Sequence, residues 1–358
     1  MKEMNNYRIK DIAAMAGVSV GTVDRVLHER GRVSEDALKK VKKALKELDY
    51  QPNLIARSLA SKKAWRILVL MPSFEPGEYW SEVSKGFDKV EREFSIYHLQ
   101  IERRFFNQYD RRSFDILTTD IKKEECQGVI IATLFSNSTF KFSQWLDRKN
   151  IPYVFIDSYI DNTNCIAYYG TDSYKSGYIG GRLLYESIHP DDDVLLFNIL
   201  SRRRIESTQV SMREKGFHDY LSQSGYRGSL YSLSLSTGKT ERNRYILDSF
   251  FSRAANRGRP VRAGIIFNSR VHVAAKYFRE NRRDDFFLIG YDAIEANTHF
   301  LKTGTVSHLI AQRPEVQGYN SVRALFHYLA LKQTGGKVNY MPIDILIKEN
   351  IDYYNNYI

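Results

Sequence analysis

The stretch IKDIAAMAGVSVGTVDRVL, residues 9–27, decides how the beginning of this chain folds. Its apolar residues recur at helical spacing and form two short faces, first Ile9, Ile12, Ala13 and Ala16, then Val23, Val26 and Leu27. Between them, Gly17 can end one helix and Ser19 can cap the next. Two such helices form a helix-turn-helix, whose second helix can lie in a DNA major groove. An ordinary helical hairpin has the same pattern, so this stretch alone leaves both interpretations open.

A longer pattern follows. Ser34 is placed to cap a third amphipathic helix, and Pro52 and Asn53 separate that helix from the segment LIARSLASKK, residues 54–63. From Ile9 to Ser61 the chain contains AxxAGVSxxTVxRVL and then VSxxxxxxVxxAxxxLxYxPNxxARSLxS, and this run closely resembles the N-terminus of the lac/gal repressor family. The resemblance implies a sequence-specific transcription regulator, expected to be a repressor, whose larger domain senses a small molecule.

Positive charge is concentrated at the start of the chain. The 358 residues have a net charge of +11, and residues 1–64 carry 14 Lys and Arg against 8 Asp and Glu, whereas the remainder carries 39 against 34. Such a segment suits a polyanion such as DNA, although a solvated surface can carry the same charge. The length predicts two or more domains, and 43% apolar residues suffice for buried cores.

Several other classes of protein fit less well. Cys126 and Cys165 lack metal-ligand spacing and suit a reducing cytosol. The polar first ten residues do not resemble a signal peptide and no apolar run is long enough to span a bilayer, so we expect a cytoplasmic protein with no membrane partner. Phosphate-loop, serine-hydrolase and zinc-protease motifs are absent, so we expect no enzyme, no cofactor and no metal site.

The residues expected to contact DNA come from two segments. They are Ser19, Val20, Gly21, Thr22, Asp24 and Arg25 in the helix-turn-helix, and Asn53, Ala56, Arg57 and Leu59 after the third helix. Arg25 is the best candidate to read a base, because a guanidinium can bond both O6 and N7 of guanine. Gly21 and Asp24 depart from common family usage, so the resemblance does not transfer an operator sequence.

The segment from residue 53 to 64 is expected to act as a hinge. A helix this short is unstable alone in water, and free in solution the segment would be a plain linker. The resemblance implies that it folds only on DNA, paired with the hinge of a second subunit, with Leu59 wedged into the minor groove. Folding on binding would make it a switch.

From Arg66 onward the pattern is α/β. Apolar runs of strand length alternate with helical segments, and this alternation predicts parallel sheets covered on both faces. The apolar runs are residues 67–72, 128–133, 152–157, 193–200, 263–268 and 286–292. The predicted fold is therefore an all-α headpiece, residues 1–52, a hinge, 53–64, and a two-lobed α/β domain, 65–358. The family resemblance implies that this domain is of periplasmic-binding-protein type I and serves effector binding and dimerisation. We expect one lobe at about 66–189 and 310–334 and the other at about 190–309 and 335–358.

Ligands of such sheets bind at the carboxyl ends of strands, where polar residues such as Asp157 end several of these runs. A looser resemblance to the family's sugar-sensing domains and to periplasmic sugar-binding proteins implies the effector-binding residues Tyr79, Trp80, Asp172, Arg213, Asn268, Asp292 and Gln312. Carboxylates and amides can bond sugar hydroxyls, while aromatic rings cover ring carbons. A single Asp at a strand end is more often a cap or a surface residue, so the set matters more than any member.

Some positions depart from the family pattern. Ser269 replaces the Asp of the usual Asn-Asp pair, and a single Asp precedes Ala293. Arg313 either recognises an acidic sugar or lies at the surface, and the sequence leaves both open.

The sequence thus predicts a homodimeric regulator that binds near-palindromic operator DNA under the control of a sugar or sugar derivative. The alternatives are a carbohydrate-binding protein with no role on DNA, and an enzyme on the same scaffold, which turnover of sugars would reveal. The sequence leaves open which effector binds and whether it releases the protein from DNA or recruits it. It also leaves open the operator sequence and whether the protein is a dimer or a tetramer.

Overall fold

The computed structural model describes residues 7–27, 31–48, 64–200, 207–254, 259–283, 285–354 and 356. The chain divides into two compact units, Met1–Lys63 and Ala64–Ile358. None of the described helices is long and apolar enough to cross a bilayer.

The first unit contains helices α1 (Ile9–Ala16), α2 (Val20–Leu27) and α3 (Glu35–Glu47). Gly17 ends α1 with φ 62°, and the Ser34 hydroxyl accepts the Ala37 N–H at 3.4 Å at the start of α3. Ile12, Val23 and Val41, one from each helix, are fully buried against one another in a single apolar cluster. The three predicted helices and their caps are therefore confirmed.

The second unit begins with one α/β lobe, here called lobe 1. In chain order it contains β1 (Trp65–Pro72), α4 (Tyr79–Glu93), β2 (Leu99–Phe106), α5 (Arg111–Ile121), β3 (Gly128–Ala132), α6 (Ser136–Arg148), β4 (Tyr153–Asp157) and β5 (Ala167–Gly170). The chain then enters lobe 2 with α7 (Ser173–Tyr185), β6 (Asp193–Leu200), α8 (Thr208–Gln223), β7 (Leu230–Ser236), α9 (Thr240–Ala254), β8 (Val261–Ile266), α10 (His272–Glu280), β9 (Phe287–Tyr291), α11 (Glu295–Lys302) and β10 (His308–Ala311).

The last part of the chain visits both lobes again. Helix α12 (Pro314–Leu331) and strand β11 (Val338–Tyr340) belong to lobe 1, and β12 (Asp344–Leu346) belongs to lobe 2. Each lobe has a six-stranded sheet, in the order β11-β5-β4-β3-β1-β2 and β12-β10-β9-β8-β6-β7. All neighbouring strands are parallel except β10 and β12. The predicted α/β fold with parallel sheets is confirmed.

The chain therefore crosses between the lobes three times. We call residues 171–172 crossing 1, residues 312–313 crossing 2 and residues 341–343 crossing 3. The lobe limits expected from sequence, residues 189 and 334, are wrong, because α7 already packs in lobe 2 and β11 still pairs in lobe 1. Leu184 of α7 is buried with Phe217 of α8, and this apolar contact decides which lobe holds the helix.

Candidate functional sites

The predicted DNA-contacting positions of the helix-turn-helix lie mostly on the outer face of α2. Val20 is 52% exposed, Gly21 and Arg25 are exposed, and Thr22 and Asp24 are half-buried, whereas Val23 points into the core. This face presents a methyl-bearing side chain, a glycine and a guanidinium, which are groups that can approach base edges.

Ser19 has a structural role at the start of this helix. Its hydroxyl oxygen accepts the Thr22 N–H at 3.1 Å and lies 2.9 Å from the Thr22 hydroxyl. Ser19 is thus the helix cap that its position before α2 predicts. The remaining predicted DNA contacts, Asn53, Ala56, Arg57 and Leu59, lie outside the described residues.

A cavity of about 990 Å³ lies between the two lobes of the second unit. Lobe 1 contributes Tyr79 and Trp80 from the first turn of α4 and Asp157 from the end of β4. Lobe 2 contributes Asn268 and Asp292, which follow β8 and β9. Four of the seven predicted effector-binding residues, Tyr79, Trp80, Asn268 and Asp292, therefore line one cavity.

Two aromatic rings form one part of the cavity lining. Tyr79 and Trp80 are 8% and 6% exposed, and their rings meet edge to face with centroids 5.2 Å apart. The Tyr79 hydroxyl donates to Gln317 Oε1 at 3.4 Å. Burial raises the Tyr79 pKa well above its usual range, so the hydroxyl stays protonated.

Two buried carboxylates, Asp157 and Asp292, form the polar part of the lining. Asp157 accepts from Gln209 Nε2 at 3.1 Å, and Asp292 accepts from Ser269 Oγ at 2.7 Å and from Gln312 Nε2 at 2.9 Å. Both have positive φ, 81° and 65°, a conformation that Asp tolerates better than most residues.

Burial dominates the electrostatics of this pair. It raises the pKa of Asp157 to about 6 and also raises the pKa of Asp292, while the nearby Arg213 guanidinium opposes both shifts. Asp157 was not in the predicted set, although it ends a buried strand. Its position at the carboxyl end of an apolar run was the available signal.

Arg213 supports the cavity from behind. It is 1% exposed and does not line the cavity, its Nη1 donates to the Phe267 carbonyl at 2.8 Å, and its guanidinium lies 4.0 Å from the centroid of the Tyr291 ring. Its placement balances part of the carboxylate charge from a distance.

Asp172, Gln312 and Arg313 also lie away from the cavity lining. Asp172 is the N-cap of α7 and accepts the Lys175 N–H at 2.9 Å. Gln312 is 2% exposed and bonds other side chains. Arg313 forms a two-pronged ion pair with Asp344 at 2.7 and 3.1 Å, which leaves no support for recognition of an acidic sugar by this residue.

Comparison with known proteins identifies a matching family for each of the two units. Residues 8–53 match the family of bacterial regulatory proteins of the lacI type, and residues 67–333 match the periplasmic binding protein domain. A ribose operon repressor of Halalkalibacterium halodurans is 25% identical over 292 residues, 80% of each chain. The regulator RegA of Clostridium saccharobutylicum is 44% identical over 82 residues, a match that spans only 24% of that relative.

Solved structures resemble the larger unit. A putative LacI transcriptional regulator from Bacteroides fragilis is 35% identical, with a TM-score of 0.76, and the match covers 82% of this chain and all of that one. The glucose-galactose binding protein GanP of Geobacillus stearothermophilus, 21% identical with a TM-score of 0.67 over 81% of this chain and 99% of its own, shares the fold. The chain therefore belongs to the lacI family of bacterial regulatory proteins, DNA-binding transcription regulators that carry a periplasmic-binding-protein-like domain.

Proposed function

We propose that this regulator is a repressor that binds near-palindromic operator DNA as a homodimer, and that a sugar or sugar derivative in the interlobe cavity controls its affinity for the operator. The observation that carries the proposal is the combination of an aromatic pair and two buried carboxylates in one cavity. Carboxylates accept hydrogen bonds from sugar hydroxyls, and rings pack against sugar carbon atoms. The protein would bind this effector without converting it, in the cytoplasm where its operator lies.

The exposed face of α2 supports the DNA part of the proposal. Val20 and Arg25 are available to bases, and two headpieces related by a two-fold axis would read two half-sites. The names of the ribose operon repressor and of the glucose-galactose binding protein support a sugar as the ligand class.

Two measurements on the full chain test the proposal. Selection from a random-sequence DNA library should yield a near-palindrome, and a thermal-shift screen of neutral sugars, uronic acids, polyols and sugar phosphates should yield a compound that raises the melting temperature by binding the folded state. Fluorescence anisotropy of the selected DNA, with and without that compound, then gives the sign of regulation.

An Asp292→Asn variant is the matched test of the cavity. Asn tolerates the positive φ at this position but lacks the charge, so the variant should bind the selected DNA like the wild type and lose the response to the compound. A full response in the variant would remove Asp292 from the site. Failure to select any DNA sequence would favour a carbohydrate-binding protein, and turnover of a sugar would favour an enzyme.

A further inference from the structure

Crossing 2 contacts crossing 1 and the strand that follows crossing 3. On one side, Gln312 Oε1 accepts from the Thr171 hydroxyl of crossing 1 at 3.0 Å. On the other side, the Arg313 guanidinium pairs with Asp344, the residue directly after crossing 3. The backbone N–H of Arg313 donates to the Tyr354 hydroxyl at 3.0 Å. Two consecutive residues therefore link crossing 1 to the first residue of β12, directly after crossing 3.

The same Gln312 side chain reaches both cavity carboxylates. Its Nε2 donates directly to Asp292 of lobe 2. Its Oε1 also accepts from Gln209 Nε2 at 3.4 Å, and Gln209 donates in turn to Asp157 of lobe 1. One amide group is thus one or two hydrogen bonds away from an acid in each lobe.

The backbone of Gln312 extends this network to the aromatic pair. Gln317 Nε2 donates to the Gln312 carbonyl at 2.9 Å, while Gln317 Oε1 accepts from Tyr79. All members are buried, with Gln209 the most exposed at 9%. Buried networks of this kind have defined donors and acceptors, so a change at one member shifts its neighbours.

We propose that Gln312 is a positioning residue that transmits effector occupancy from the two cavity carboxylates to the interlobe crossings. A hydroxyl that donates to Asp292 or Asp157 competes with the amides that now bond these acids. The Gln312 side chain then shifts against Thr171, and the angle between the lobes follows. The link to an effector rests on the proposed function, whereas the link between the crossings does not.

Hydrogen exchange of the full chain without any ligand tests the link between the crossings. In Thr171→Val, which keeps the side-chain shape and removes the hydroxyl, the amides of residues 312–317 other than Pro314 should exchange roughly three- to tenfold faster, as expected for the loss of one buried hydrogen bond. Thr171→Ser restores a hydroxyl and should exchange like the wild type.

Thr163→Val is the matched control. Thr163 is another buried threonine of lobe 1, and its hydroxyl donates locally to the Ile160 carbonyl at 2.9 Å. This variant should leave exchange at residues 312–317 unchanged. Equal exchange at these residues in Thr171→Val and the wild type would overturn the proposal.

The second readout is the response to effector. The probe is whichever of D-ribose, D-glucose and D-galactose raises the melting temperature most, and the quantity is the ratio of operator Kd values with and without saturating probe. Thr171→Val should reduce this ratio at least threefold, and Thr163→Val should not. If the ratio of operator Kd values in Thr171→Val equals that of the wild type, the proposal that Gln312 transmits effector occupancy is wrong. A wild-type ratio of one with these sugars and with every other compound of the thermal-shift screen refutes the proposed function instead, and exchange alone then decides whether Gln312 joins the crossings.

Discussion

At the scale of single residues, the cavity is built at a cost in stability. Asp157 is 5% exposed and its pKa is raised to about 6, which means that its charged form is less stable in the folded protein than in the unfolded chain. Under the proposed function Asp157 accepts a hydrogen bond from a sugar hydroxyl, and the charged carboxylate is a stronger acceptor than the neutral acid. This is the usual conflict between stability and function at a binding site.

We predict that Asp157→Asn stabilises the free protein at pH 7.5, by up to about 3 kcal/mol if the whole shift is relieved. The native state holds this proton more tightly than the unfolded chain, so the penalty grows as pH rises from about 4 to about 6 and is complete above that. Urea unfolding should therefore show a larger gain at pH 7.5 than at pH 5.

The exposed Asp191 provides the control for this prediction. Its bond to Arg227 lowers its pKa, so its charge stabilises the fold and the same Asn substitution should have the opposite sign. An equal gain for Asp157→Asn at both pH values would show that burial of the charge is not the cause.

Arg25 carries the second prediction at this scale. Because it is exposed on α2 and a guanidinium can bond two guanine atoms, Arg25→Ala should weaken binding to the selected DNA by about 1–3 kcal/mol and relax the preference at one base pair. Arg25→Lys keeps the positive charge but lacks the paired N–H donors of the guanidinium. Compared with Arg25→Ala, it should recover more of the affinity for DNA than of the preference for one base pair. Uniform weakening across all sequences in a binding array would assign Arg25 to phosphate.

At the scale of elements, glycines set the distance between helices. A Cβ atom on Gly177 of α7 would lie 1.9 Å from the Arg213 carbonyl of α8, and one on Gly216 of α8 would lie 2.0 Å from the Tyr174 carbonyl of α7. Lobe 1 has the same arrangement between α4 and α12, through Gly86 and Gly318. In each lobe, the pair of glycines lies between two helices. One of these helices follows a crossing (α7 or α12), and the other begins at the cavity (α8 or α4).

We predict that Gly177→Ala destabilises the protein by about 1–3 kcal/mol or more, because only backbone movement can relieve the overlap. It should also weaken effector binding, since α8 carries Gln209 and Arg213. The control is Gly180→Ala in the same helix, where the nearest atom is the flexible Cδ1 of Ile265 at 3.0 Å. Urea unfolding should show a clearly smaller change for Gly180→Ala, and equal losses would contradict the role of close backbone approach.

At the scale of the whole larger unit, polar side-chain contacts join the two lobes, and the 2.7 Å contact between Ser136 Oγ and Thr208 Oγ1 is one of them. Arg270 of lobe 2 lies 3.5 Å from Glu78 of lobe 1, and its guanidinium lies 5.6 Å from the centroid of the Tyr109 ring. All three residues line the cavity, so this contact joins the two lobes at the cavity itself.

We predict that Arg270→Ala increases the dissociation rate of the effector roughly three- to tenfold, because a partly exposed ion pair and a cation–π contact are each worth up to about 1 kcal/mol. Stopped-flow displacement would measure the rate. Arg262→Ala removes an ion pair with Asp285 that lies within lobe 2, and should leave the rate unchanged. Equal rates in wild type and Arg270→Ala would show that this contact does not hold the lobes closed.

Much of this architecture could be predicted from local sequence. The helical spacing of apolar residues, the helix end at Gly17 and the two serine caps predict the helix-turn-helix. These signals are readable in the sequence because each depends on residues at most four positions apart. The six predicted strands are found in the sheets, and six others of the described strands were missed. The edge strands β2 and β7 were missed because their polar residues interrupt the apolar run. For parallel strands buried on both faces, a continuous apolar run is itself the signal.

The composition of the cavity could be predicted only in part. Sequence pointed to Asp172 and Gln312 as effector contacts, but the direction of a side chain depends on where the chain crosses between lobes, and those crossings join residues more than a hundred positions apart. Asp172 caps α7, and Gln312 is covered because Thr171, Gln209 and Asp292 from distant parts of the chain bond its side chain. Local chemistry thus determined the elements and the family of this protein, while the non-local packing of two lobes decided which of its polar residues face the cavity.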